Sequence, residues 1–422
     1  METSGIDVVP VPTAWAGHRT YRSRALLVPH TVEQLAEILA SGEPVRALGS
    51  RHSFNDLVDS PGVLVSLSGL EREPVLNEAE LTVTVSAGTT YGVLGPWLDE
   101  RGFALAALAS LPHISVVGAI TTATHGSGDA ITTLAGSVVS LQVLTPRGEL
   151  RTFERGDALF PGAVVSLGAL GIVTEVTLRV EPTYQVAQTV LDGVPFDSLV
   201  ANFDQIFSSA TSVSAFLQWG EHVSIWRKHR LDAGEIGDLA GIGGTPADGP
   251  RHPLPHGDIS ACTPQLGEPG PWFARLPHFK LEFTPSAGSE LQSEYLIPRA
   301  HAPAALSALR PIYAELNHLV YVSEIRTMAK DDLWLSGAFG RDTVGIHTTW
   351  VQDVPAVTAV LPRLEAALAP FDARPHWGKL FTLEAERISA LYPHFADAQD
   401  LVATCDPEGI HSNDYLRRVG LR

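Results

Sequence analysis

A chain of 422 residues, 45% of them hydrophobic, can bury a sizeable core, and its length points to two or three domains. Its 29 basic against 47 acidic residues leave a formal charge of -18, which argues against nucleic acid or an anionic membrane as partner and suits a small neutral ligand. Two distant cysteines, Cys262 and Cys405, have no ligand spacing and argue against a zinc ribbon or a disulfide framework. There is no run of about 18 apolar residues and no leader pattern in the first thirty, so the expectation is a cytoplasmic protein without a membrane partner.

Following Pro29, "HTVEQLAEILASG" places Val32, Leu35, Ala36 and Leu39 at helical spacing, with Thr31 and Gln34 set as a capping box and Gly42 as a stop. Then come three β-rich runs, "PVRAL", "GVLVSLSGL" and "ELTVTVSAG", and a helix around "YGVLGPWLDERG". A polar, glycine-bearing series, "ALASLPHISVVGAITTATHGSGD", precedes strands at "SVVSLQVLTPRGEL" and "GIVTEVTLRVEP", and a boundary is expected near Pro182. Beyond it lie strands at "LEFTP" and "SEYLIP", a helix near "APAALSALRPIYAEL", and strands at "VYVSEIRTM" and "VGIHTTWV", which read as a second α+β domain. Residues 232–272, rich in Gly and Pro, read as a long loop or lid.

Neither a Walker loop nor G-x-G-x-x-G opening a helix occurs. Two small-residue loops remain, "GSRHS" after a strand and "THGSG" after "GAITTA", each offering closely spaced backbone N–H groups of the kind a pyrophosphate needs. Singly, each is more readily an ordinary turn. In "VYVSEIRTM", alternation sends Val320, Val322, Glu324 and Arg326 to one face; in "VGIHTTWV" it pairs His347 with Thr349. A structural salt bridge and a site for several substrate hydroxyls explain Glu324 and Arg326 equally well. "ARPHWGKLF" adds His376 and Lys379. The sixteen histidines show no H-E-x-x-H or comparable metal spacing.

The ordered series "LGSRHSFND", "AGTTYGVLGPWLDERGFAL", "ASLPHISVVGAITTATHGSG" and "SLGALGIVTEVTL" resembles the FAD-binding domain of the vanillyl-alcohol-oxidase superfamily. With "EIRT" and "RPHWGK", nearly the whole chain resembles the alditol and xylitol oxidase group. The resemblance implies an α+β, two-domain flavoprotein: a PCMH-type FAD-binding domain at 1–183, an α+β substrate-binding cap with an antiparallel sheet at 184–400, and a segment at 401–422 returning to the first domain. It implies FAD bound covalently through His52. Ala47, Leu48, Gly49, Ser50, Arg51 and Ser53 would surround that histidine, and Ser110, Ser115, Gly118, Thr121, Thr122, His125, Ile172, Val173, His376 and Asn413 would complete the cofactor site. Arg51 and Ala123 stand where the group often has Gly.

By the same resemblance Ser110, Glu324, Arg326, Thr349 and Lys379 contact a polyol, with Lys379 the expected proton acceptor and His347 in reserve. The implied reaction is oxidation of a terminal alcohol by dioxygen in a monomeric enzyme, with an aldonolactone oxidase or dehydrogenase as the related alternative and a non-catalytic flavin-binding protein as the other.

Overall fold

A computed structural model describes residues 5–254, 257–283 and 289–422. The N-terminal half carries two sheets. In the first, Ala25–Val28 and Val45–Ala47 run parallel to Val63–Val65, with Asp7–Val9 antiparallel on the outer edge. The helix Val32–Leu39 packs on it through Leu35, Ile38 and Leu39. Thr31 caps that helix by accepting from the Gln34 N–H at 3.2 Å, and Gln34 reaches back to the His30 N–H rather than that of Thr31. The second sheet is antiparallel, in the order Val75–Asn77, Thr82–Ser86, Ile172–Arg179, Val138–Leu144, Leu150–Glu154.

From Gln185 the chain builds one antiparallel sheet of nine strands. Its central order is Gln185–Pro195, His222–Arg230, Ser212–Leu217, Val320–Met328, Thr343–Val351 and Glu290–Pro298. Period-two alternation divides it into two unlike faces. One carries Val213, Ala215, Ile225, Ile325, Ile346, Tyr295 and Ile297 into a core shared with the helices Ala302–Glu315 and Val354–Leu368. The other is polar and faces the N-terminal half.

Four elements depart from the sequence expectations. A register shift between Val320 and Val322 sends Val320 into the apolar core while Val322 stays on the polar face, so these two valines do not share a side. Leu281–Phe283 of "LEFTP" forms a turn and bend, its remainder lying outside the described residues. Val354–Phe371 has the length and apolarity of a membrane span, yet Val357, Leu361, Leu364 and Leu368 are buried against the sheet. Ahead of the expected C-terminal segment at 401–422, Trp377, Ile388, Leu391, Phe395 and Ala398 already pack in the core of the N-terminal half.

One cation joins these pieces. Arg46, buried, donates to the carbonyls of Leu57, Leu167, Gly168 and His411 at 2.6–3.0 Å, tying the first sheet to three distant loops. Arg46→Met removes the donor from four carbonyls, of which, among the described residues, only that of Leu57 keeps another, from Asn413. The expected cost is about 3 kcal/mol or more, read as a thermal-unfolding midpoint several degrees lower; an unchanged midpoint would show these bonds to be incidental.

Candidate active site

A cavity of about 690 Å³ lies between the N-terminal sheets and the polar face of the nine-stranded sheet. At one end the loops Ala47–Ser53 and Ser115–His125 converge. Ser50 Oγ accepts from the Ser115 N–H at 3.2 Å, fixing one loop on the other. A side chain at either Gly49 or Gly118 would place its Cβ 2.5 Å from Ser115 Oγ and force that hydroxyl to move, so glycine at both lets the loops close in with Ser115 as it stands. Arg51 and Ala123, where glycine was noted as usual, have φ of 66° and 52° and hold the left-handed conformation with a side chain.

His52 sits in this cradle, and among the described residues neither ring nitrogen makes a hydrogen bond of good geometry. Burial pushes its imidazole down to about 4, so it is neutral near pH 7. Trp15 stacks on it with ring centroids 4.9 Å apart. Arg51 positions that tryptophan, its carbonyl accepting from the Trp15 N–H at 3.0 Å and its guanidinium donating to Thr13 O at 3.0 Å.

At the other end, register puts Glu324 and Glu294 on either side of His347, and Arg326 beside Gly345. Glu294 is the hub: Oε1 accepts from Arg326 at 2.7 Å and lies 3.2 Å from His125 Nε2, while Oε2 accepts from Lys379 Nζ at 2.6 Å. Gly345 leaves room for this, since a Cβ there would lie 2.8 Å from Glu294 Oε1. Burial opposes ionisation of Glu294, but Arg326, Lys379 and His125 overcome it and hold its carboxyl well below the usual range. Glu324 behaves alike: burial raises it, and Arg326 and His278 bring it well down. Burial lowers Lys379, with Glu294 opposing that shift and Arg326 adding to it. Burial also takes His347 and His376 well below the ordinary imidazole value, and His347 Nδ1 has no hydrogen-bond partner.

Ala47, Leu48, Gly49, Ser50, Arg51, His52 and Ser53 all line the cavity, as do Ser110, Ser115, Gly118, Thr121, Thr122, His125 and Val173. Glu324, Arg326, His347, Thr349, His376 and Lys379 line its other wall. Two expected cofactor residues are placed elsewhere. Ile172 is packed in a core with Val63 and Leu144. Asn413 caps the helix Asp414–Arg418 and donates to the carbonyls of Asp56, Leu57 and Asp59, so its amide is used structurally.

Glu294, Gln292, His278 and Lys228 were not identified from sequence. Glu294 and Gln292 alternate in "LQSEYLIP" as Glu324 and Arg326 do in their strand, and that signal was available; His278 and Lys228 carry none. Side-chain ligand atoms of His125, Glu294 and His376 lie within 4.8 Å of one another, a grouping invisible in histidine spacing. Arg326 and Lys379 already neutralise that carboxylate, which disfavours a metal cation there.

Residues 23–154 match the family described as FAD binding domain, and 285–419 the family described as D-arabinono-1,4-lactone oxidase. An alditol oxidase from a Streptomyces species is 43% identical over 96% of this chain and 98% of its own length. An L-gulono-1,4-lactone dehydrogenase from Mycobacterium tuberculosis is 30% identical over 97% and 99%. A cholesterol oxidase structure from Brevibacterium sterolicum superposes with a TM-score of 0.79 at 14% identity, covering 98% of this chain and 97% of that one, and shows the shared fold.

Glu294→Gln strands two buried cations around one neutral amide, and a loss of about 3–5 kcal/mol is expected at pH 7. Because the folded-state value of Glu294 is depressed, its contribution is fully present above the ordinary carboxylate value of 4.5 and is lost as pH falls through the lower folded value. The stability difference between wild type and variant, measured by denaturant unfolding, should therefore be constant above about pH 5 and shrink below 4.5.

Proposed function

The chain belongs to the family of FAD-dependent alditol and aldonolactone oxidases, and on that premise we propose that it oxidises the terminal primary alcohol of an acyclic polyol such as xylitol or sorbitol to the aldose, reducing dioxygen to hydrogen peroxide. The observation that carries this reading is the polar sheet face. Glu324, Arg326, His347, Thr349 and Gln292 line the cavity from three adjacent strands. Residues two apart on a strand are roughly 7 Å apart and neighbouring strands about 4.8 Å, a grid on which a short chain of hydroxyls finds an acceptor or donor at each step. Charged partners buried there discriminate against a deoxy analogue, since a missing hydroxyl leaves one of them unpaired.

The cradle fits FAD. Its glycines and Ser50–Ser115 contact leave backbone unobstructed for a diphosphate, and His52 presents a neutral imidazole, the state in which its nitrogen is nucleophilic. His52 is the residue to which the covalent link is assigned. Bound there, FAD supplies the two-electron acceptor for the alcohol carbon and the passage of those electrons to dioxygen.

The protein's own task is the hydroxyl proton and the orientation of the chain that bears it. Lys379 rests as the ammonium paired with Glu294 at 2.6 Å; burial eases loss of its proton, and the amine so formed accepts the hydroxyl proton, returning to the ammonium that Glu294 stabilises. His347, neutral and with Nδ1 open, and Ser110 at the opposite wall orient the reacting end. Glu324 and Arg326 hold the remote hydroxyls.

Purified enzyme is expected to release peroxide stoichiometrically with aldose from xylitol or sorbitol, and Lys379→Met to lower kcat by about 10²–10⁴-fold. Turnover of gulonolactone with none of a polyol would replace this reading by the aldonolactone one. After acid precipitation the yellow colour should stay with wild-type protein and pass to the supernatant for His52→Ala; free flavin from the wild type would overturn the covalent assignment.

A further inference from the structure

Lys228 is a buried cation on the nine-stranded sheet that none of the chemistry above employs. It lies on His222–Arg230, two strands away from Glu324, and is 3% exposed. Among the described residues no carboxylate forms an ion pair with it. Its Nζ donates to the carbonyl of Leu276 and lies 3.1 Å from His278 Nδ1, while His278 Nε2 lies 3.0 Å from Glu324 Oε1.

We propose that Lys228 and His278 form a buried relay that positions the Glu324 carboxylate for a substrate hydroxyl, making both of them positioning residues for substrate binding. The assignment follows from donor and acceptor chemistry. An ammonium only donates, so His278 Nδ1 must accept from it, and the single proton of a neutral imidazole then sits on Nε2, aimed at Glu324 Oε1. The other tautomer would turn a lone pair towards a carboxylate. With Oε1 engaged and Oε2 3.9 Å from Arg326 Nε, the Glu324 carboxylate has one orientation in the cavity wall. Phe216 and Trp226 close edge-on around the His278 ring, with centroids at 5.2 and 5.6 Å, and bar its rotation. A second cavity of about 20 Å³, room for about one water, is lined by Lys228, His278, Arg326 and Ser110.

The groups facing Lys228 are Glu324 and Arg326 on the Val320–Met328 strand, and His278 and Cys262 on the loop beside it. Burial draws Lys228 down to about 7, Glu324 opposing that shift, whereas His278 is held down at about 4, first by burial and then by Lys228. The histidine thus stays neutral through the physiological range, and the proton lost on raising the pH comes from the lysine. Above about 7 the relay loses its obligate donor, and substrate binding should weaken with it.

The role of Glu324 in binding rests on the polyol reading, so the test has two independent arms. In holoenzyme labelled with 15N-histidine, the His278 signals, assigned as those missing from His278→Gln, should report the Nε2–H tautomer at pH 6; protonation on Nδ1 instead overturns the relay. In steady-state kinetics on xylitol, Lys228→Met should raise KM about tenfold with kcat changed less than twofold and with the KM rise above pH 7 abolished. Lys228→Arg, which keeps a cationic donor, should recover most of the loss. An unchanged KM in Lys228→Met, or loss of kcat alone, overturns positioning. Should the wild type oxidise no polyol, the substrate reading falls, while the relay is still decided by the tautomer.

Discussion

Everything at the polar face depends on the ionised carboxylate of Glu294 being buried between two cations. Taking a carboxylate out of water costs several kcal/mol, and Arg326 and Lys379, both within 2.7 Å, offset that cost only because both are present. The dependence runs both ways. Arg326 is itself buried and Lys379 largely so, and without Glu294 neither has another carboxylate within hydrogen-bond reach among the described residues, Glu324 standing 3.9 Å from the Arg326 Nε. A cluster of this kind contributes less to stability than an apolar packing of equal volume would. What it provides is a fixed arrangement of charge in a dry wall, where electrostatic interactions with a bound group are strongest.

The two faces of the nine-stranded sheet share that burden. The apolar face, filled by Ile325, Ile346, Tyr295 and the two long helices, supplies the burial that drives the sheet together. Each inward-pointing isoleucine is one residue from an outward-pointing functional one: Ile325 separates Glu324 from Arg326, and Ile346 separates Gly345 from His347. The register that packs the core is therefore the register that aligns the site, and a slip of one residue would exchange the two. The bulge at Tyr321 confines the irregularity to the strand's first residues, before Glu324 is reached.

This coupling explains what sequence disclosed. Alternation in "VSEIRTM" and "GIHTTWV" places Glu324, Arg326, His347 and Thr349 on coherent faces, because period two is a local property. Partner choice is not local. Nothing in the run "LQSEYLIP" tells that Glu294 lies across from His347, or that its partners Arg326, Lys379 and His125 come from three other segments, two of them loops. Lys228 and His278 illustrate the harder case: a lysine in a strand and a histidine after a Pro-rich loop are ordinary until tertiary contacts bury both. At the cradle the reverse holds. The loops carry little information singly, and their order along the chain was the signal. Even so, order does not tell a lining side chain from a neighbouring one: the Asn413 amide caps a helix and the Ile172 side chain packs in the core.

Arg51 shows how such a cradle absorbs a residue that local geometry disfavours. A side chain at φ 66° costs about 1 kcal/mol relative to glycine, and the compensation is visible in its neighbours. The guanidinium reaches Thr13 O, and the Arg51 carbonyl receives the Trp15 N–H. Together these bonds lay the N-terminal segment across the loop and set the Trp15 ring against His52. Glycine would relieve the strain and keep the carbonyl bond, but it would lose the guanidinium anchor and leave the loop freer to rearrange. An imidazole that must stay neutral, dry and in one orientation gains from the stiffer arrangement, because the aromatic face excludes water from one side of the ring while adding no charge. The strained residue beside His52 is thus one means by which the loop holds that histidine against the Trp15 ring.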